Sequence, residues 1–355
     1  EVKESLGRKI YKDLMNGVSN MLPFVIGGGI LIAIAFLLDD YSIDPSNFGK
    51  NTPIAAYFKT IGEFSFGMML PVLSGFIAMS IADRPGLAVG FVAGLVAKAG
   101  STFANPAGGD VNAGFLGALF AGFVAGYVVL ALKKLTNKIP QSLNSIRPMI
   151  IYPVAGILIG AVMTTLINPF MGSINDALTE VLNSMNGTSR VLLGTICAGM
   201  QSVDMGGPVN KTSYVFATSQ LAEGNFEIMA SVMAGGMVPP LAIAFCTTLF
   251  KNRFTKKERE SGLVNYLLGL SFISEGAIPF AASDPLRVIP SCIVGSAVAG
   301  GLSMFFECTL RAPHGGVFVL PTIGHPMMYA LSILIGSLIG CVILGILKKP
   351  LGGER

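Results

Sequence analysis

The chain has 355 residues, 52% of them hydrophobic and only 12% charged, with a mean hydropathy of +0.67 and a formal net charge of +4. Soluble domains carry about 25% charged residues, so a water-exposed globular enzyme is excluded and much of the surface must face lipid. The basic residues fall in short clusters between apolar runs and form no continuous stripe, which argues against nucleic-acid binding.

Apolar runs near the ~20 residues that a bilayer core requires predict spans at Gly17–Leu38, Phe64–Ala82, Ala113–Leu132, Met149–Phe170, Ile228–Phe250, Val288–Phe306 and Met328–Leu347. The shorter run Gly86–Ala97 is expected to cross as well. No small-residue cleavage site clearly follows the first run, so it reads as a span and not as a signal peptide. The start at Glu1, without a Met, suggests a piece of a longer polypeptide or a processed chain. Glycines recur at a spacing of four in Gly86/Gly90/Gly94, Gly122/Gly126, Gly156/Gly160 and Gly336/Gly340, a pattern that lets membrane helices approach closely. There is no Trp, so Tyr and Phe must supply any interfacial belt. Five cysteines sit in or beside apolar runs and form no CxxC pair, which predicts buried, reduced thiols.

Orientation follows from four basic clusters, at Lys3/Arg8/Lys9/Lys12, Lys133/Lys134/Lys138/Arg147, Lys251/Arg253/Lys256/Lys257/Arg259 and Lys348/Lys349, all placed on the cytoplasmic side by the positive-inside rule. Four crossings then return the chain to the cytoplasm at Lys133, and Met149–Phe170 takes it out again. Because Ile228–Phe250 must travel inward to reach Lys251, residues 190–225 must leave and re-enter one side. Residues 263–287 must likewise return to the side they left. Two re-entrant segments are the simplest solution.

Those two segments are where the sequence turns polar, and irregular backbone at membrane depth survives only against protein or a water-filled cavity. The first contains Gln201, Asp204, Gly206, Gly207, Pro208, Asn210 and Lys211. Its glycines permit a sharp turn, Pro208 suits a first helical turn, and the amides that follow present a partial positive charge. Asp204 and Lys211 either contact a substrate or lock the turn as an ion pair. The second segment reads Ser274-Glu275-Gly276-Ala277-Ile278-Pro279-Phe280. There a helix is expected to stop beside Glu275, whose carboxylate suits the hydroxyls of a polyol or sugar. Asp284-Pro285 reads as a structural helix start, with Arg287 pairing locally. A third polar island, Arg311-Ala312-Pro313-His314-Gly315-Gly316, makes His314 a site candidate and leaves His325 a weaker one. No metal-ligand spacing and no P-loop occurs, and Asn186-Gly187-Thr188 is a short, unspecific match to a glycosylation site.

Together with Gly17-Val18-Ser19-Asn20-Met21-Leu22-Pro23-Phe24, Asp83-Arg84-Pro85-Gly86 and Gly206-Gly207-Pro208-Val209-Asn210-Lys211, the blocks around Glu275 and His314 resemble the membrane-embedded IIC component of bacterial sugar phosphotransferase systems, within it the fructose family. The resemblance runs from about Tyr11 to Lys349. It implies an all-α polytopic membrane protein of about eight to ten transmembrane helices plus two re-entrant hairpins. Residues 1–16 would be a cytoplasmic linker, 17–170 a scaffold that forms a homodimer, 171–189 a connection, 190–347 a transport domain, and 348–355 a cytoplasmic tail. It implies a bacterial inner-membrane location and an elevator-like motion coupled to sugar phosphorylation. No bound cofactor is implied; a phosphocysteine on a IIB domain, often fused ahead of IIC, would donate the phosphoryl group, with IIA, HPr and enzyme I upstream. By position, the substrate site would comprise Asp204, Gly206, Gly207, Pro208, Asn210, Lys211, Ser274, Glu275, Gly276 and His314. Glu275 would also help deprotonate the attacking hydroxyl. Related families carry a His in the first hairpin, which this chain lacks; Asp204 or His314 would take its role. The rival reading is a carrier driven by H⁺ or Na⁺ through Glu275 and Asp204.

Overall fold

The computed structural model describes residues 5–40, 42–44, 47, 49–185, 187–205, 208–311 and 315–351. Among these, seven helical stretches are long and apolar enough to cross a membrane: Leu6–Leu38, Pro53–Ala82, Gly114–Leu135, Arg147–Leu182, Glu227–Leu249, Pro285–Phe305 and Pro326–Leu347. Pro85–Ala99 is a shorter apolar helix, as the sequence predicts. The protein is an all-α polytopic membrane protein, and the only extended pairing among the described residues is an isolated Thr309–Gly324 bridge.

The helices are α1 (Leu6–Leu38), α2 (Pro53–Gly67), α3 (Met69–Ala82), α4 (Pro85–Ala99), α5 (Gly114–Leu135), α6 (Ile157–Ser184), α7 (Gly187–Met200), α8 (Pro208–Ala222), α9 (Glu227–Leu249), α10 (Lys256–Leu270), α11 (Ile278–Ser283), α12 (Pro285–Phe305) and α13 (Pro326–Leu347). Three helical stretches run past their expected ends; the one expected at Phe64–Ala82 begins at Pro53 and breaks at Met68 into α2 and α3. α1 begins eleven residues before Gly17 because its first turns have partners: buried Asp13 accepts from the Ser80 hydroxyl (2.6 Å), and Asn16 Nδ2 donates to the Phe76 carbonyl (2.8 Å). α6 continues to Ser184, and Asn175 Nδ2 holds it to the Asn112 and Ala113 carbonyls at 2.9 and 2.7 Å. A wider π-type turn, Arg147–Gly156, leads into α6 and accommodates Pro153.

The chain folds as two compact units: residues up to Gly28 with Glu63–Ser184, and Gly29–Gly62 with the residues from Met185 onward. In the first, the glycine ridges do what their spacing suggests. A Cβ on Gly86 would stand 2.6 Å from the Ala78 carbonyl oxygen, and one on Gly122 2.9 Å from that of Ser74. Backbone approach this close gives dispersion and weak C–H···O contacts where no hydrophobic effect acts. In the second unit, α9 is buried on almost every side, whereas the more apolar α13 is less than half buried.

Asp39, just beyond α1, organises the following loop. Its carboxylate accepts from the N–H groups of Gly49 (2.6 Å), Asn51 (3.2 Å) and Thr52 (3.0 Å). Desolvation pushes this carboxyl up, but the three amides outweigh it and hold it below the ordinary 3.8. A depressed folded-state pKa stabilises above the unfolded value and is lost as pH falls through the folded one. Amide exchange at Gly49, Asn51 and Thr52 is therefore expected to stay slow down to about pH 4 and to accelerate below it, beyond the intrinsic pH trend. In Asp39→Ala it should be fast throughout; unchanged protection in that variant would remove Asp39 from this role.

Candidate functional site

Two consecutive prolines, Pro239 and Pro240, sit inside α9. An α-helical N–H bonds the carbonyl four residues back, and Pro has none. The carbonyls of Gly235 and Gly236 are thus freed in the middle of a buried helix, where an unmet acceptor is costly. Both are met from outside α9. Ser296 Oγ on α12 donates to Gly235 (2.7 Å), and Ser274 Oγ donates to Gly236 (2.6 Å). Ser202 completes the set through a hydroxyl–hydroxyl bond to Ser296. Both polar segments of the sequence are therefore pinned to one point of α9, about 14 Å along its axis from Glu227.

The first segment links α7 to α8, and α8 starts at Pro208. Asp204 is a cap: Val209 N–H donates to Oδ2 and Asn210 N–H to Oδ1, both at 2.9 Å. The carboxylate satisfies the donors and faces the positive end of the helix. It makes no ion pair with Lys211, which forms none with any described residue. Buried Gln201 braces the same turn. Its Nε2 donates to Ser213 Oγ and the Asn210 carbonyl, and Asn210 Nδ2 returns to the Gln201 carbonyl at 2.8 Å. Asp204→Asn, which keeps one of the two acceptors, should lose less stability than Asp204→Ala, which should cost about 0.5–2 kcal/mol in thermal unfolding. Wild-type stability in the Ala variant would remove Asp204 from this capping role.

In the second segment α10 ends at Leu270, Phe272 turns the chain with φ +61°, and Ser274–Ala277 forms one 3₁₀ turn before α11. Ser274 is buried on the Gly236 carbonyl, while its neighbour Glu275 is exposed and bonds no described residue. The structure thus presents a free carboxylate one residue from a point fixed at the depth of the α9 break. Phe272 fills the junction. It stacks obliquely on Tyr214 at 6.2 Å, and its ring lies 2.1 Å from where a Cβ on Gly236 would be. From the third island, Gly316 at φ +56° leaves room for the Leu270 carbonyl and the Phe272 amide, the latter 2.9 Å from its missing Cβ. Three polar stretches, far apart in sequence, therefore converge on Phe272.

Gly206, Gly207 and His314 lie outside the described residues. His325 caps α13 with φ 58°, and its carbonyl lies 3.8 Å from the Cys308 thiol; it joins neither polar segment. Asp284 precedes Pro285 at the start of α12 as expected, but its side chain caps no amide. It instead pairs with Arg287 (3.2 Å) and Lys348 (3.3 Å), while Arg253 donates to the Lys348 carbonyl. Residues 253–284 therefore leave and return to one end of α9. At its other end an Arg190–Glu227 pair joins the starts of α7 and α9, so the first segment does the same. The residues missed from sequence are Ser202, Ser296, Gly235 and Gly236. The Pro-Pro pair was a legible signal that two carbonyls needed donors. No group of three or more His, Cys, Asp or Glu among the described residues is placed to hold a metal.

Spanning helices interrupted by polar, hydrogen-bonded breaks that meet on one buried helix define an integral membrane protein of the transporter class. The family model described as phosphotransferase system, EIIC, matches residues 15–295, and the chain belongs to that family. It is 51% identical over 346 residues to the PTS system fructose-specific EIIABC component of Bacillus subtilis (strain 168), covering 97% of this chain and 53% of that protein. It is 49% identical over 311 residues to the fructose permease IIC component of Bacillus amyloliquefaciens, covering 87% of this chain and 98% of the relative. With the PTS system fructose-specific EIIB'BC component of Rhodobacter capsulatus it shares 46% identity over 352 residues, 97% of this chain and 58% of that protein. The chain thus spans about half the length of the multicomponent relatives and nearly all of the single-component one.

Proposed function

We propose that the chain is the membrane component that binds fructose and carries it across the bacterial inner membrane while a IIB domain phosphorylates it. Three relatives named as fructose-specific or fructose permeases support the sugar, and the B components in two of their names support the coupling. The observation that carries the site is Glu275, a carboxylate without a described partner, held by Ser274 at the depth of the α9 break.

In this reading Glu275 accepts hydrogen bonds from sugar hydroxyls, with Ser274, Gly276, Asn210 and His314 around the same ligand. Gly206, Gly207 and the start of α8 at Pro208, together with Lys211, supply positive potential for the phosphoryl oxygens. The attacking hydroxyl oxygen forms its bond to phosphorus as the phosphorus–sulfur bond of the IIB phosphocysteine breaks. The thiolate leaves, and the hydroxyl proton passes to Glu275, with His314 the second candidate for that proton. The chain binds no cofactor; IIA, HPr and enzyme I recharge IIB. The segments 190–225 and 263–287 are re-entrant hairpins in the unit containing residues 185–355. That unit moves as an elevator, the other unit serves as the scaffold of a homodimer, and both termini are cytoplasmic.

Proteoliposomes holding the purified chain, supplied with phosphorylated IIB on the trans side, should convert external labelled fructose to internal fructose phosphate. Accumulation of unmodified fructose driven by an H⁺ or Na⁺ gradient without IIB would overturn the phosphotransfer reading.

A further inference from the structure

Next to the Glu275 turn lies a polar group that nothing above uses. Asn265, on α10, is only 2% exposed, and its Nδ2 amino group is buried with no hydrogen-bond partner. Its Oδ1 lies 2.6 Å from the position a Cβ would occupy on Gly276, the residue after Glu275. Any larger residue at 276 would displace the amide, so the absent side chain there makes room for Asn265. A buried amide donor without a partner destabilises a fold and is rarely kept without reason. Other amides of the same unit show the contrast: buried Gln201 and half-buried Asn210 both have their amino groups bonded.

The unmet donor has a chemical complement. A sugar hydroxyl both donates and accepts, whereas a carboxylate only accepts. A site built on Glu275 alone binds the hydroxyl hydrogen and leaves the oxygen's lone pairs desolvated and unmet. An amide N–H from the residue packed on Gly276 would supply that second half. We infer that Asn265 is a substrate-binding residue whose Nδ2 donates to the oxygen of a sugar hydroxyl near Glu275, resting on the sugar-carrier reading above. A bound sugar hydroxyl would give this donor the acceptor that the protein itself does not supply.

This assignment predicts opposite effects on stability and on binding, which a purely structural Asn cannot give. Asn265→Leu, close to Asn in branching and without the orphan donor, should raise the unfolding temperature of the sugar-free protein in detergent by a few degrees. The same variant should weaken fructose binding about tenfold, the effect of one good hydrogen bond. Among singly deoxygenated fructose analogues, one should bind wild type as weakly as fructose binds the variant and lose nothing further in it. If Leu at 265 does not fold, Asn265→Ala should show the same loss of discrimination. The assignment fails if wild type binds fructose and the variants bind it equally, and the sugar-carrier reading then stands. It fails also if stability and affinity fall together with analogue discrimination intact. A wild-type protein that binds no fructose would overturn both.

Discussion

Glu275→Gln is expected to weaken fructose binding about 30- to 100-fold, because two bonds to a charged acceptor, roughly 1.5–3 kcal/mol each, become neutral ones of about 0.5–1.5. Isothermal titration on detergent-purified protein reads this directly. The fold should be unaffected: the side chain is exposed, it bonds no described residue, and Ser274 anchors the turn independently. Unfolding temperature and elution on gel filtration should therefore match wild type. Phosphorylation by IIB should fall further than binding, since Gln can no longer take the hydroxyl proton. Wild-type affinity in the Gln variant would remove Glu275 from contact with the sugar.

Gly236→Val should be strongly damaging. Its Cβ would stand 2.1 Å from Phe272 Cε2 and 3.0 Å from Gln201 Oε1. Phe272 has little freedom to yield, because Tyr214 and Gly316 pack on it and its backbone already holds φ +61°. Overpacking of this kind costs about 1–3 kcal/mol, and displacing Ser274 would leave the Gly236 carbonyl unmet at about 1–3 kcal/mol more. The expected result is a loss of about 2–6 kcal/mol in unfolding, with sugar binding lost. Phe272→Ala should restore part of the stability when combined with it. Gly187→Ala is the control, since nothing lies within 4 Å of the place its methyl group would take. Wild-type stability in Gly236→Val would refute the claim that the two breaks meet at this residue.

Several parts of this arrangement are legible in the sequence. The apolar runs mark every long span, because lipid exposure demands some twenty apolar residues in succession. The four-residue glycine spacing marks helix faces that do pack closely, as at Gly86 and Gly122. The start of α8 follows from Pro208, whose backbone rule is local, whereas α10 ends at Leu270, five residues before the expected stop at Glu275, with the non-glycine Phe272 turning the chain at φ +61°. Asp204 shows where local reasoning stops. The choice between an ion pair with Lys211 and a substrate contact overlooks a third partner, the amides of α8, which become available only once the chain turns back on itself. Asp284 is similar: its position before Pro285 is readable, but its ion pair with Lys348 spans 64 residues.

The Pro239-Pro240 pair divides the two kinds of information most sharply. Sequence alone determined that two carbonyls of α9 would lose their donors, because that bond joins residues four apart and Pro lacks the hydrogen. It determined also that so apolar a run would lie in lipid or protein, where those carbonyls could not turn to water. Only the tertiary structure decided which donors replaced them: Ser274, 38 residues from Gly236, and Ser296, 61 residues from Gly235. Serines are common, and one hydroxyl is chemically like another, so no pattern along the chain selects these two. Their selection follows from packing: α12 and the turn after α10 lie against α9 closely enough for a hydroxyl to reach its backbone. The same packing sets Glu275 at the depth of that break.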